Sequence, residues 1–251
     1  MAYTVDLKLT AFGHESSNLS TATKSFGVNM KQAIALVTWA GTIHLAKELL
    51  ETSLKDYSKQ VVVIINEVEA SEDVDTLKWL VNNYFTLPVQ GNRWEVGGLE
   101  AMMALTDFDE WILIQDTLEI KDITIFDSMF NSYGKSVSFG PGWHCYLGKY
   151  RREVLNQITL PVCLNKIDAI YHELITLPRM YNKVAEILEG QPVKVLFENW
   201  GNANPTNTYD YKFNRKNLVL GNPYIVKRKS LEYEIYCPIL PNLRWSAVLS
   251  E

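Results

Sequence analysis

An open α/β sheet, mostly parallel and covered by helices on both faces, is the fold class this sequence predicts, and three observations predict it. Short apolar runs at Ile34 to Thr38, Val61 to Ile65 and Trp111 to Ile114 read as strands. Segments with helical spacing separate them, so that strand and helix alternate along the chain. The run Val61 to Ile65 is wholly β-branched, as expected of a strand buried on both faces.

Each element follows from its local pattern. Residues 3 to 9 alternate Tyr3, Val5, Leu7 and Leu9 with polar residues, the period of a half-buried strand, and residues 13 to 25 are rich in Ser, Thr and Gly and read as a loop. After the strand at Ile34 to Thr38, a helix is expected from about Thr42 to Asp56, with Leu45, Leu49 and Leu50 on one face. Ser71 is the expected N-cap of the next helix, with Glu72 and Asp73 beside its positive end. That helix should place Val74, Leu77, Leu80, Val81 and Tyr84 inward.

A third strand is expected near Leu87 to Val89, a helix from Glu95 to Leu105, and then the strand Trp111 to Ile114. Beyond residue 122 the pattern is less regular. A strand is expected at Ser136 to Phe139, a sharp loop at Gly140-Pro141-Gly142, and a helix from Lys149 to Gln157. A longer helix should run from Leu164 to Leu188, kinked at Pro178, followed by a strand at Val193 to Phe197 and a loop over 199 to 211.

Composition narrows the class. The 251 residues are 47% hydrophobic and 21% charged, which fits a soluble globular protein of one large domain. No apolar run reaches the roughly 18 residues of a membrane span, and the amino terminus lacks a basic region followed by an apolar core. The expected compartment is therefore the cytoplasm. Cys145, Cys163 and Cys237 are odd in number and far apart, forming neither a disulfide framework nor a metal-knuckle spacing. A net charge of −5 argues against a general nucleic-acid binder, although an average hides local patches.

Parallel open sheets bind ligands beyond the carboxyl ends of their strands. That edge should hold Trp39 to Gly41, Asn66 and Glu67, and the acids Asp116 and Glu119 that end the run WILIQDTLE. Familiar motifs are missing there. No G-x-G-x-x-G follows the first strand, and neither G-x-x-x-x-G-K-[ST] nor G-x-S-x-G occurs. A dinucleotide-dependent oxidoreductase, a P-loop nucleotidase and an α/β-hydrolase are thereby disfavoured.

The order TWAG, VVVIIN, GNRWEVGGLEAMM and ILIQDTLEI resembles the nucleotide-binding half of glycosyltransferases with the GT-A fold, over roughly residues 33 to 125. GKYRREVL (148 to 155) and NRKNLVLGNPYIVKRK (214 to 229) are similar to segments of virus- and phage-encoded members. The resemblance implies a GT-A-like, mostly parallel Rossmann-type sheet with a C-terminal extension, in one domain over residues 1–251. About 33–125 would bind the nucleotide sugar and about 126–251 would form the acceptor side. It implies a nucleoside-diphosphate sugar donor, UDP-linked by base rate, and a divalent cation, Mn²⁺ or Mg²⁺.

Carried onto this chain, Asp116 takes the first Asp of the family's Asp-x-Asp motif. The second Asp position is Leu118, and Glu119 lies one residue beyond. Mg²⁺ often uses only one or two carboxylates, so Asp116 with Glu119 or water is the expected metal set. Asn66 and Glu67 fall where the family contacts base or ribose; an Asn capping its own turn is the plainer alternative. Asn92, Arg93 and Glu95 precede Gly97 and Gly98, where the family brings a helix start to the diphosphate sugar. Two adjacent helical glycines are explained either by close approach to a ligand or by tight helix–sheet packing. Trp39 is a candidate to stack on a nucleobase, or a rim aromatic. His144, after the Gly-Pro-Gly loop, is a candidate catalytic group or a structural histidine.

Residues 209 to 230 carry Lys212, Arg215, Lys216, Lys227, Arg228 and Lys229 against one acid, Asp210, a local charge of 6 − 1 = +5. Tyr209, Tyr211, Phe213 and Tyr224 are interleaved with them. Arg215 and Lys216 are candidate clamps on the leaving diphosphate. Lys227, Arg228 and Lys229 are candidate acceptor contacts, because cations with aromatics suit an anionic polymer. In phage-type members a hydroxymethylated base in DNA is one such acceptor. Two other functions stay open: a nucleotidyltransferase, disfavoured because TWAGTIH is poor in Gly and basic residues, and a non-catalytic binder of anionic polymers, favoured by the missing second Asp.

Overall fold

The computed structural model describes residues 31–91, 93–139, 147–163, 166–196, 219–221 and 225–228. The strand expected at 3–9 and the loops at 13–25, 140–142 and 199–211 lie outside these residues.

The first half alternates as the sequence predicts. Strand β1 (Gln32–Trp39) leads through a short turn into helix α1 (Ile43–Glu51) and strand β2 (Gln60–Asn66). Helix α2 (Val74–Asn83), strand β3 (Phe85–Val89), helix α3 (Trp94–Ala104) and strand β4 (Glu110–Gln115) follow. Next come β5 (Leu118–Ile120), α4 (Thr124–Phe130), β6 (Val137–Ser138), β7 (Gly148–Arg151), α5 (Arg152–Leu155), α6 (Lys166–Tyr171), α7 (Leu177–Glu189) and β8 (Lys194–Val195). Two strands near the C-terminal end, β9 (Val219–Gly221) and β10 (Ile225–Arg228), complete the described elements.

The main sheet runs β3-β2-β1-β4-β7-β6-β8. Its β3-β2-β1-β4 portion is wholly parallel, while β7 joins β4 and β6 antiparallel, so the fold is a mixed α/β sheet with helices packed on it. Alternation along each strand feeds two cores. Ile34, Leu36, Val63, Ile65, Ile112 and Ile114 face α1 and α4, whereas Ala33, Val37, Val62, Ile64, Trp111 and Leu113 face α3 and α7. Helices on opposite faces are what right-handed crossovers require when β4 returns to the far side of β1. A second sheet, β5-β10-β9, pairs Leu118 with Lys227 and Glu119 with Val226.

Several local expectations are corrected. The N-cap of α2 is Asp73, whose carboxylate accepts from the Thr76 backbone N–H at 3.0 Å; Ser71 instead ends a short turn over Val68–Ala70. Of the residues expected inside α2 only Leu80 is buried, while Val74 and Val81 are exposed. The helix lies at the β3 edge, where little sheet remains to cover it. Helix α1 ends at Glu51, short of Asp56, and buries Ile43, Ala46, Leu49 and Leu50, with Leu45 only half-buried.

The helix expected from Lys149 is a strand first. Lys149 and Tyr150 point to opposite faces of β7 and both are buried, the lysine against Glu110 and the tyrosine against Tyr181. A lysine in the core breaks the usual pattern, so the period misled. The long C-terminal helix is interrupted in the turn directly before Pro178, where His172–Thr176 form a wider π-type turn. Pro178 follows as the second residue of α7, and its missing N–H removes the i→i−4 bond to the Leu174 carbonyl within that turn.

Candidate functional site

The carboxyl edge of the parallel strands is held together by one chain of polar contacts. Strand β1 has β2 on one side and β4 on the other, and the crossovers diverge there, so the gap between the ends of β1 and β4 is the topological switch point of the sheet. Asp116, the residue after β4, lies at that gap and is buried.

Strand register explains its neighbours. Leu36 pairs with Ile114 and Val37 with Gln115, and one step further brings Thr38 beside Asp116 on the same face. Thr38 Oγ1 donates to Asp116 Oδ2 at 2.6 Å. Thr42, in the turn between β1 and α1, donates to the same oxygen at 2.5 Å. The backbone N–H of Asp116 donates to the carbonyl of Val37 at 3.2 Å. Sequence reasoning passed over both threonines. Their signal is the spacing T-W-A-G-T, two hydroxyls four residues apart across a strand-to-helix turn.

Trp39 lies between those threonines and is 42% exposed. Its ring folds over Gly41, where an added Cβ would sit 2.5 Å from the indole. Only a glycine leaves room for that ring position.

On the other side of β1, Asn66 is buried at the end of β2. Its Nδ2 donates to the carbonyls of Thr38 and Trp94, each at 3.2 Å, and its Oδ1 accepts from the Arg93 N–H at 3.3 Å. The amide therefore ties β1 to the start of α3. Glu67 follows in the left-handed region with φ 55°, and Trp94 has φ 48°. Both are non-glycine residues held in a costly conformation, which clusters at functional sites. The Glu67 N–H is shared between the carbonyls of Val89 and Gly91 at 2.8 and 3.1 Å, binding the loop after β2 to the loop after β3.

The guanidinium of Arg93 pairs with Glu100 at 2.5 Å and donates from Nε to the Gln90 carbonyl at 3.2 Å. Glu95 is buried in the first turn of α3, where a carboxylate complements the positive helix end. The paired glycines serve packing. A Cβ on Gly98 would meet Val37 Cγ2 at 2.5 Å, and one on Gly97 would meet Asn66 Oδ1 at 2.7 Å.

Leu118, at the second position of the acidic motif, is buried in the core beside Ile120, and Glu119 alternates to the opposite side of β5 and is half-buried. Lys227 and Arg228 lie on β10, whose backbone pairs Lys227 with Leu118, two residues from Asp116. Asn92, His144, Arg215, Lys216 and Lys229 lie outside the described residues. Among the described residues no three His, Cys, Asp or Glu side chains gather as a cation site. The oxygens present, one carboxylate and two hydroxyls, are hard donors. Asp116 has the oxygen chemistry that Mg²⁺ or Mn²⁺ takes.

The arrangement thus offers a buried carboxylate, an exposed indole and a strained loop pair along one edge of the sheet. No helix among the described residues is long and apolar enough to cross a membrane.

No protein-family model matches this chain, and no curated protein matches it. Among the solved structures similar to it are two nucleotide-sugar enzymes by name. One is the mannosyltransferase PcManGT from Pyrobaculum calidifontis in complex with GDP-Man and Mn²⁺, at 15% identity and a TM-score of 0.46, over 66% of this chain and 54% of that one. The chain thus spans about half the length of that mannosyltransferase. The other is a candidate nucleotide-diphospho-sugar transferase from Desulfovibrio desulfuricans G20, at 14% identity and a TM-score of 0.39, over 60% of this chain and 77% of that one.

Proposed function

We propose that this chain is a glycosyltransferase that moves a sugar from a nucleoside-diphosphate sugar to an acceptor hydroxyl. The observation that carries the reading is Asp116, a buried carboxylate fixed at the switch point between β1 and β4, where an open α/β sheet receives its ligand. The resemblance of TWAG, VVVIIN and QDTLEI to the GT-A order supports the same reading.

In this mechanism the acceptor oxygen attacks the anomeric carbon, the bond from that carbon to the diphosphate oxygen breaks, and the electron pair leaves with the diphosphate. The acceptor's proton passes to a base. Negative charge grows on the leaving group, so preorganised positive charge accelerates the step. A divalent cation held by Asp116, with Glu119 or water, would supply that charge when bound. Arg215 and Lys216 are the basic side chains proposed to share the task. Trp39 stacks on the base, Glu67 and the loop that carries Gly91 and Arg93 line the nucleoside side, and Asn66 holds that loop to β1. Arg93, already paired with Glu100, acts through the loop's position rather than as a free cation. His144 is proposed on the acceptor side of the reaction.

The finer proposal is a phage-encoded enzyme working as one domain in the host cytoplasm on hydroxymethylated bases of DNA. Its support is the +5 segment at 209–230 with interleaved tyrosines, and the strand that carries Lys227 and Arg228 next to β5. A base in duplex DNA would have to be flipped out to reach the site.

The test is release of free nucleoside diphosphate from a panel of UDP- and GDP-sugars, with and without Mn²⁺. Slow hydrolysis that Asp116→Ala abolishes is the expected result. No binding of any sugar nucleotide by calorimetry refutes the proposal. For the acceptor, DNA binding should weaken with salt and with Lys227→Ala and Arg228→Ala together. Salt-independent binding rejects DNA.

A further inference from the structure

A carboxylate buried at a strand end carries a desolvation cost of several kcal/mol unless donors satisfy it. Asp116 meets that requirement in an unusual way: two hydroxyls from different elements, Thr38 on β1 and Thr42 in the turn after it, converge on one oxygen, Oδ2. Hydrogen bonds to an ionised acceptor are about twice as strong as neutral ones. With Oδ2 held twice, the Asp116 carboxylate turns away only by breaking these bonds, while the backbone N–H on Val37 fixes where the side chain starts.

The clamp is itself braced. The Thr38 carbonyl accepts from Asn66 Nδ2, and the same nitrogen donates to the Trp94 carbonyl. A line of contacts therefore runs from the loop before α3, across the ends of β2 and β1, to Asp116 at the end of β4. A bare structural need would be met more simply, since β1 and β4 are already joined by a full parallel ladder from Gln32 to Val37.

Resting on the reading of Asp116 as the donor-site carboxylate, we infer that Thr38 and Thr42 are positioning residues, which fix the direction of that carboxylate for the transfer step. Neither threonine touches the reacting atoms. Each acts through Asp116, and the hydroxyl rather than the methyl does the work.

The experiment compares Thr38→Val and Thr42→Val, nearly isosteric, with Thr38→Ser and Thr42→Ser, which keep the hydroxyl. The full chain is assayed with UDP-glucose and GDP-mannose for nucleoside diphosphate release with Mn²⁺. Loss of an outer-shell hydrogen bond typically lowers activity about 10- to 100-fold. That fall is expected in kcat for each Val variant, with KM changing less than about threefold, and with most activity restored by Ser. Val variants that turn over like the wild type, or Ser variants that fall as far as Val, overturn the inference.

A crystal structure of the double Val variant supplies a readout free of activity. The Asp116 carboxylate should be rotated or in two positions, and a carboxylate that has not moved overturns the inference. If the wild-type chain releases no diphosphate from any donor, the proposed function fails. The position of Asp116 in the double Val variant then decides the clamp alone.

Discussion

The ammonium of Lys149 lies 3.3 Å from the Glu110 carboxylate, both side chains fully buried, at the end of β4 opposite to Asp116. Burial pulls the lysine below its ordinary pKa and Glu110 opposes that shift. Glu110 also accepts from Gln32, and Lys149 donates to the Ser132 carbonyl at 2.5 Å. Removing one charge strands the other. Glu110→Gln is expected to destabilise the fold by about 3–5 kcal/mol, and Glu110→Gln with Lys149→Met to recover most of it. Denaturant unfolding measures both; equal losses in single and double variants would contradict the pairing.

Gly98 lies against Val37 with no room for a methyl group. Gly98→Ala should cost about 1–3 kcal/mol through overpacking between α3 and β1. Thermal unfolding checks this, and an unchanged midpoint would show that α3 lifts freely.

Asn66 makes three hydrogen bonds inside the protein. Asn66→Ala leaves the Thr38 and Trp94 carbonyls short of a donor and should cost about 1–3 kcal/mol. Under the proposed function it should also raise the KM for the donor, because Arg93 and Trp94 lose their tie to β2. A variant of lowered stability with unaltered KM would separate the loop from donor binding.

Gly41→Ala should displace the exposed Trp39 ring while leaving stability nearly unchanged, since the indole can swing into solvent. If the ring stacks on the base, nucleotide affinity falls on the order of tenfold. Calorimetry with UDP and GDP measures it, and affinity equal to wild type would remove Trp39 from the site.

Burial lowers the pKa of His172 below 6.5, and the nearby Asp168 partly offsets this. The folded chain then binds fewer protons than the unfolded one as pH drops. The stability present above about pH 6.5 is lost as pH falls through the lowered folded value. Melting temperature should decline from about pH 7.5 to about pH 5, and His172→Gln should flatten that slope. An identical slope in the variant would assign the decline to other groups.

The sequence by itself determined the parallel core. The run Val61 to Ile65 and the acids after Trp111 to Ile114 were readable because apolar continuity and strand ends are local properties of the chain. For the same reason Asp116 was legible as an edge residue, and α3 was placed within one residue at each end. Three things needed the tertiary structure. Lys149 read as helical because its partner Glu110 is far away in sequence, and only their meeting makes a buried lysine tolerable. The paired glycines of α3 left two explanations open until Val37 and Asn66 were found against them. The clamp on Asp116 depends on β1 and β4 being neighbours in one register, which places Thr38 and Thr42 on a carboxylate more than seventy residues away. Local periodicity fixes which face a side chain takes, but the pairing of distant strands fixes which side chain it meets.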